Sequence, residues 1–306
     1  MAPQTEEMGD GAVVPAALLE LAIAERSDAG CVRSHNEDYV EHRVPAESRA
    51  RARKGILCLV ADGMGGHKAG EVASQQAVEL VMRHYYGNLS RDVGASLLRA
   101  LRAANSAIHE LAAADSGRAG MGTTLVGSVI RGNEVVVANV GDSRAYLVGR
   151  KGITRITEDH SWVEEQVQAG MLTPEQARTH PQRNLVTRAL GSRPAVEVDL
   201  YEGVIADGDC LVLCTDGLTN LVEDREIESA VRANRPEDAA QLLVEMAKER
   251  GGYDNVTVLV ARASQRQATA EGPRDGRTGA LKWVLLLLAI AVVLGLFALM
   301  LLWPKL

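Results

Sequence analysis

The sequence predicts an α+β domain of antiparallel sheets with helices packed outside them, followed by a single membrane-crossing helix. Three observations carry that reading. Seven short β-type runs outnumber the helical patterns, the helical patterns come in pairs, and residues 283–303 contain no charged side chain. A parallel α/β sheet would instead alternate strand and helix regularly along the chain.

Residues 1–18 read as a flexible lead-in. Their first part is polar and acidic rather than basic, and the short apolar stretch after it is too mixed for an export segment. The β-type runs then lie at 20–25 (ELAIAE), 56–61 (ILCLVA), 123–131 (TTLVGSVIR), 134–140 (EVVVANV), 144–149 (RAYLVG), 209–214 (DCLVLC) and 255–261 (NVTVLVA). Gly132-Asn133, between the third and fourth runs, predicts a tight hairpin. Helical patterns cover 70–86, 94–114, 160–170 and 236–249. In the first, Val72, Ala73, Gln76, Ala77, Leu80 and Val81 recur at helical spacing and make one mainly apolar face. One globular unit therefore spans 19–262. Residues 263–280 lack hydrophobic periodicity and read as a juxtamembrane linker.

The span at 281–303 is a transmembrane helix by length and composition, with a short tail at 304–306. At about 1.5 Å per residue the uncharged run is roughly 31 Å long, matching a hydrocarbon core of about 30 Å. Trp283 and Trp303 suit the interfacial belts, and Lys282 and Lys305 reach the headgroups. Arg274, Arg277 and Lys282 precede the span and Lys305 follows it. This bias, with no export signal, predicts a single-pass protein of the cell membrane whose large domain is cytoplasmic.

Composition excludes several classes. A net charge of −7 and 3% aromatic residues offer little to a nucleic-acid backbone or to stacked bases. The four cysteines, at 31, 58, 210 and 214, form no CxxC pair and have no arginine six positions on, so they read as reduced, buried thiols. HExxH and paired CxxC zinc spacings are missing. So are GxxxxGK[ST], HRD and DFG, which leaves a kinase or nucleotide-binding enzyme without support.

The chemistry lies in aspartates at strand ends. Asp62 follows ILCLVA, Asp142 follows VVVANVG, Asp216 follows DCLVLCT, and Asp254 precedes NVTVLVA; Asp38 closes the triplet Asn36-Glu37-Asp38. Singly, an Asp-Gly pair is a turn signal. Together, strands that share a core and end at one edge would gather these carboxylates, which repel one another unless cations neutralise them. Oxygen donors favour Mg²⁺ or Mn²⁺, and a pair of such ions can activate water for in-line displacement at phosphorus.

Six motifs occur in order: RSDAGCVRSHNED (26–38), ADGMGGHKAGEVAS (61–74), MGTTL (121–125), ANVGDSRAYL (138–147), TDGL (215–218) and YDNVTVLV (253–260). Together they resemble the protein phosphatase 2C (PPM) family, in its bacterial branch, over the whole of 19–262. The resemblance implies a four-layer αββα sandwich and a protein serine/threonine phosphatase using two Mn²⁺ or Mg²⁺ ions, with room for a third, weaker one. It implies that Asp62 bridges both ions, that the Gly63 carbonyl binds one, and that Asp216 and Asp254 complete the core site. Glu37 and Asp38 match the acidic pair that binds an ion directly or through its waters, and either could be the direct ligand. Asp142, sharing Asp216, matches the residue of the third ion. Arg33 stands where the family keeps an arginine for the substrate phosphate, and a planar guanidinium suits that task.

One departure concerns the leaving-group proton. Eukaryotic members carry a histidine after the Asp-Gly pair, where this chain has Met64. His67 is a nearby candidate, weighed against a solvated loop histidine and against water as the donor. Residues 157–191 fall where bacterial relatives carry a flap beside the active site. Two short helices are predicted there, the second starting at Thr173-Pro174, with His160 and His180 in a gating rather than catalytic segment. Expected partners are phosphorylated proteins, among them a Ser/Thr kinase or its substrates, and membrane lipid around the C-terminal helix. The alternative is a catalytically silent, phosphatase-like module that recruits phosphoproteins to the membrane. The full set of aspartates argues against it.

Overall fold

The computed structural model describes residues 19–65, 68–118 and 120–265. The predicted lead-in at 1–18, the transmembrane helix and the tail lie outside the described residues, as do His67 and residues 266–280 of the predicted linker. Residues 263–265, expected in that linker, instead continue the last strand, where they pair with Leu19, Glu20 and Leu21. Among the described residues no helix is long and apolar enough to cross a membrane.

In chain order the elements begin with strands β1 (Leu19–Asp28) and β2 (Asp38–Arg43), helix α1 (Ser48–Lys54) and strand β3 (Ile56–Met64). Helices α2 (Lys68–Gly87) and α3 (Val93–Ala114) follow, then a 3₁₀ turn at Ser116–Arg118. Strands β4 (Gly122–Thr123), β5 (Leu125–Arg131), β6 (Glu134–Val140), β7 (Arg144–Gly149) and β8 (Gly152–Arg155) come next. After helices α4 (Trp162–Gln168) and α5 (Pro174–Thr179) come strands β9 (Asp199–Val204) and β10 (Cys210–Cys214). Helices α6 (Asp216–Thr219), α7 (Asp224–Ala233) and α8 (Pro236–Glu249) precede the last strand, β11 (Val256–Gln265).

One antiparallel sheet runs β1-β11-β10-β7-β8 and the other β2-β3-β5-β6-β9, with β4 added to β3. Alternation along each central strand builds the layers, because successive side chains face opposite sides of a sheet. On β3, Cys58 and Val60 meet Leu211 and Leu213 of β10 and Leu259 of β11 between the sheets. Leu57, Leu59 and Ala61 point the other way, onto Ala73, Ala77 and Val81 of α2 and Leu97 and Leu101 of α3. On the opposite sheet, Val212 and Val258 pack outward against Ile227 of α7 and Leu243 and Val244 of α8. The result is the expected four-layer order, helices outside two packed sheets.

The expected hairpin is present: Arg131 pairs with Glu134, leaving Gly132-Asn133 as the loop, and Gly132 takes φ +64°, which glycine adopts without strain. Two expectations need correction. The run 123–131 is not one strand. It breaks at Thr124, whose backbone N–H donates to the Asp62 carbonyl (2.9 Å) while its hydroxyl accepts from the Asp62 N–H (3.0 Å). Three cysteines are buried, but Cys31 is exposed, because it lies in the loop between β1 and β2 rather than in a strand.

Candidate metal centre and active site

The antiparallel layout explains how distant aspartates meet. β3 and β10 run toward one edge of the sandwich and end beside Asp62 and Asp216, while β2, β7 and β11 start from that edge beside Asp38, Asp142 and Asp254. In the β2–β3 ladder Asp38 stands directly opposite Asp62. At this edge opens a cleft of about 470 Å³ lined by Arg33, Glu37, Asp62, Gly63, Asp142, Asp216 and Asp254. Thus all the predicted site residues but two line one cleft. Asp38 is buried and absent from the lining, and His67 is outside the described residues.

Small residues make the convergence sterically possible. A Cβ on Gly63 would lie 2.1 Å from the Gly70 carbonyl oxygen, so the end of β3 and the start of α2 touch only because glycine is there. A Cβ on Gly217 would lie 1.9 Å from the carbonyl oxygen of Asn255, which lets Asp216 and Asp254 approach. The Asp-Gly pairs read as turn signals in sequence are therefore close-packing devices here.

Burial first, and then mutual repulsion, set the electrostatics. Burial pushes the Asp62 carboxyl well above the usual carboxylate range, and the charges of Asp38, Asp216, Asp142 and Asp254 push it further. Burial likewise raises Asp38 to about 7, against hydrogen bonds from Thr257 and Thr215 and with the charges of Asp216 and Asp254 adding to the rise. Asp216 rises to about 6, first by burial and then by the Asp254 charge; Asn220, Arg144 and a hydrogen bond shared with Asp62 oppose it. Burial and then Asp216 raise Asp142 well above its ordinary value.

These observations test the fit of a metal. The donors are oxygens from carboxylates and backbone, the set preferred by Mg²⁺ and Mn²⁺. Asp38 accepts from Thr215 Oγ1 at 2.9 Å through one oxygen, while its buried Oδ1 has no hydrogen-bond partner. A buried acceptor without a donor, within a cluster that favours protonation, suits a cation. Among the described residues no three acidic, histidine or cysteine side chains form a finished single-ion cage. The like charges turn to separate partners instead: Arg33 donates to Asp254 at 2.8 Å and Asn220 to Asp216 at 3.1 Å.

Several residues that build the cleft went unassigned in sequence. Asn255, buried beside Asp254, donates to the carbonyls of Ala29 (3.1 Å) and His35 (2.8 Å) and accepts from the Glu37 N–H (2.8 Å). It staples the loop carrying Arg33 and Glu37 to β11. Thr123 and Thr124 clamp the backbone of Asp62, and Thr124 is bridged to Ser143 at 2.7 Å. Each lies inside a quoted motif, Asn255 and Ser143 directly after a carboxylate and the two threonines in MGTTL, which has none. His35, Met64, Asn184 and Val186 are also part of the lining.

The flap region holds both predicted helices, α4 and α5, the latter opened by a Thr173–Gln176 capping box with Pro174 in its first turn. Its base is tied down. Asp159 grips the Arg144 guanidinium at 2.6–3.0 Å, and His160 Nδ1 accepts from the Gly141 N–H at 3.0 Å while its Nε2 meets Asp199 at 3.1 Å.

Comparison with known proteins agrees with this architecture. The family model described as protein phosphatase 2C matches residues 34–250. The serine/threonine phosphatase stp of Listeria monocytogenes is 36% identical over 252 residues, covering 81% of this chain and 96% of its own. A crystal structure of the Mycobacterium tuberculosis serine/threonine phosphatase PstP/Ppp superimposes with a TM-score of 0.72 at 40% identity, over 81% of this chain and 100% of that one. The catalytic domain of PstP in complex with two manganese ions gives a TM-score of 0.70 at 38% identity, over 81% of this chain and 99% of that one. A helix-flanked double sheet with a carboxylate cleft at its edge, matched in this way, defines a protein phosphatase. The chain belongs to the protein phosphatase 2C family.

Proposed function

We propose that this chain is a membrane-tethered, metal-dependent phosphatase that removes phosphate from serine and threonine side chains of proteins. The observation that carries the reading is the convergence of Glu37, Asp62, Asp142, Asp216 and Asp254 with Arg33 on one cleft, where Asp62 and Asp142 are disfavoured as anions first by burial and then by neighbouring carboxylates. Asp62, Asp216, Asp254 and the Gly63 carbonyl would hold two Mn²⁺ or Mg²⁺ ions. Glu37 faces the cleft and Asp38 lies beneath it with an unpartnered oxygen, so both belong to the ion-binding set. Asp142 and Asp216 would share a weaker third ion. When bound, the ions acidify a water and offset phosphate charge.

The rest falls to the chain's own groups. Arg33, half exposed at the cleft, exchanges Asp254 for two phosphate oxygens of the substrate and holds them in line. Met64 lines the cleft but carries no transferable proton, so water in the cleft returns the proton to the leaving hydroxyl; His67 is the competing donor. Asn184 and Val186 bring the flap region to the cleft, where it gates the approach of protein substrates.

Residues 281–303 are the proposed membrane anchor, with the catalytic domain on the cytoplasmic side. Anchoring raises the effective concentration of membrane neighbours. The substrates are then phosphoproteins at the inner surface, including a Ser/Thr kinase or its targets, whose action the enzyme opposes.

The test is hydrolysis of p-nitrophenyl phosphate and of a phosphothreonine peptide with Mn²⁺. Asp62→Asn and Asp216→Asn should each abolish both activities in folded protein. Retained turnover in either variant would remove the dinuclear reading.

A further inference from the structure

One corner of the sandwich end opposite the cleft, around α1, is rich in arginine although the chain is acidic overall. β3 runs from Ile56 toward Asp62, so α1, which stops at Lys54, lies at the far end. The α2–α3 connection reaches the same end, since Lys54 Nζ donates to the Ser90 carbonyl at 2.9 Å, and so does the β5–β6 hairpin, since Arg131 Nη1 donates to the Arg91 carbonyl at 2.7 Å. Together they shape a cavity of about 530 Å³ lined by Arg49, Arg53, Arg91 and Arg131, with Glu47 its one acidic residue. Arg131 pairs with Glu134 at 2.7 Å. Among the described residues no ion pair holds Arg49, Arg53 or Arg91, all of them exposed.

Three further observations bear on what covers this surface. Apolar side chains stand exposed at the same end: Leu89 at 81%, Val204 at 66% and Val44 at 41%. Beyond burial, the positive charges of Arg53, Arg99 and Arg131 depress the pKa of Lys54, a sign of concentrated positive field. Finally, β11 leaves the cleft edge at Val256 and reaches this far end at Gln265, from which the chain continues toward the apolar run at 283–303.

We propose that this arginine-rich end is a docking surface for an anionic phospholipid bilayer, with Arg49, Arg53 and Arg91 on headgroup phosphates and Leu89 and Val44 in the interfacial layer. Basic residues near an anionic surface contribute about 1 kcal/mol each, roughly a fivefold change in affinity, and interspersed apolar groups add to it. The cleft, at the opposite end, is then turned toward the cytoplasm and open to protein substrates. The inference uses the membrane-tether reading only to place the domain near lipid.

The experiment uses the full chain in a Cys31→Ser background, reconstituted into vesicles of phosphatidylcholine alone or mixed with phosphatidylglycerol. An environment-sensitive dye is placed by Leu89→Cys or, on the flap, by Met171→Cys, and a lipid-borne quencher is added. The expected result is quenching at position 89 that rises about threefold or more with anionic lipid and falls back at high salt. The flap dye should not respond. Arg49→Glu/Arg53→Glu/Arg91→Glu should return the position-89 signal to the neutral-lipid level while p-nitrophenyl phosphate turnover, which reports a folded domain, is kept. Equal quenching in both lipids, or a charge-reversed protein that behaves as wild type, overturns the proposal. So does a signal kept low because Glu6, Glu7 and Asp10 of the chain's own N-terminal segment occupy the arginines. Flotation with neutral vesicles reads the anchor separately. If flotation fails, the same dye measured with added anionic vesicles still decides the surface.

Discussion

Arg33 donates from Nη2 to Asp254 Oδ2 at 2.8 Å, so the cation at the cleft is held by a carboxylate of the proposed metal site. Asp254 thus holds the guanidinium at the cleft, and the proposed phosphate contact would replace this pair. Arg33→Ala is expected to lower kcat/KM for a phosphothreonine peptide by about 10- to 100-fold, the size of a lost charge-assisted hydrogen bond of about 1.5–3 kcal/mol. Arg33→Lys should recover only part of the loss, because a single ammonium cannot grip two oxygens. Steady-state kinetics with saturating Mn²⁺ checks both.

Metal-free protein should be more stable in mild acid than at neutral pH. Asp38 and Asp216 titrate at about 7 and about 6 in the fold, against 3.8 for an unperturbed aspartate. The folded state thus binds more protons than the unfolded chain between these values, and its stability falls as pH rises through them. The contribution is fully present below about 4 and lost above about 7. Melting in EDTA across pH 5 to 8 should show a declining Tm, and saturating Mn²⁺ should flatten or reverse the slope. A metal-free Tm that climbs over this range would contradict the repulsion described.

Asp62→Asn follows from the same forces with two opposite signs. It should abolish turnover, yet raise the Tm of the metal-free protein, because it removes one member of a buried like-charge cluster. Thermal melts in EDTA beside activity assays separate the two effects.

Asn255→Ala is expected to destabilise the fold by about 2–4 kcal/mol, since two carbonyls and the Glu37 N–H lose a buried partner. Mn²⁺ affinity should fall with it, because the loop carrying Glu37 and Arg33 loses its staple. Urea denaturation and Mn²⁺ calorimetry measure the two losses.

At the base of the flap, Asp159→Ala leaves the Arg144 guanidinium without its carboxylate and should cost about 3–5 kcal/mol. The double variant Arg144→Met/Asp159→Leu should cost less than the single one, since no charge is stranded. Urea denaturation of the set tests this, and a double variant worse than Asp159→Ala would reject it.

Legibility in the sequence followed burial. Central strands such as β3, β10 and β11 are near-continuous apolar runs and could be read directly. The edge strands β2 (DYVEHR) and β9 (DLYEGV) were missed, because an edge pairs on one side only and tolerates polar residues on its face. Helix α7 was missed as well. Its sequence, DREIESAVRA, is largely charged, and only Ile227, Ala230 and Val231 are buried in it.

On its own, the sequence determined the element types of the core, the hairpin at Gly132-Asn133 and the identity of the acidic residues, because hydrophobic period and turn chemistry are local properties. The six motifs added the family. Only the tertiary structure decided that Asp38 faces Asp62 across a ladder, that Asn255 ties three segments together, and that the arginines of α1 gather at the end away from the cleft. Those relations join residues separated by tens to hundreds of positions. Strand order and direction set them, and these follow from how whole sheets pack rather than from any run of neighbouring residues.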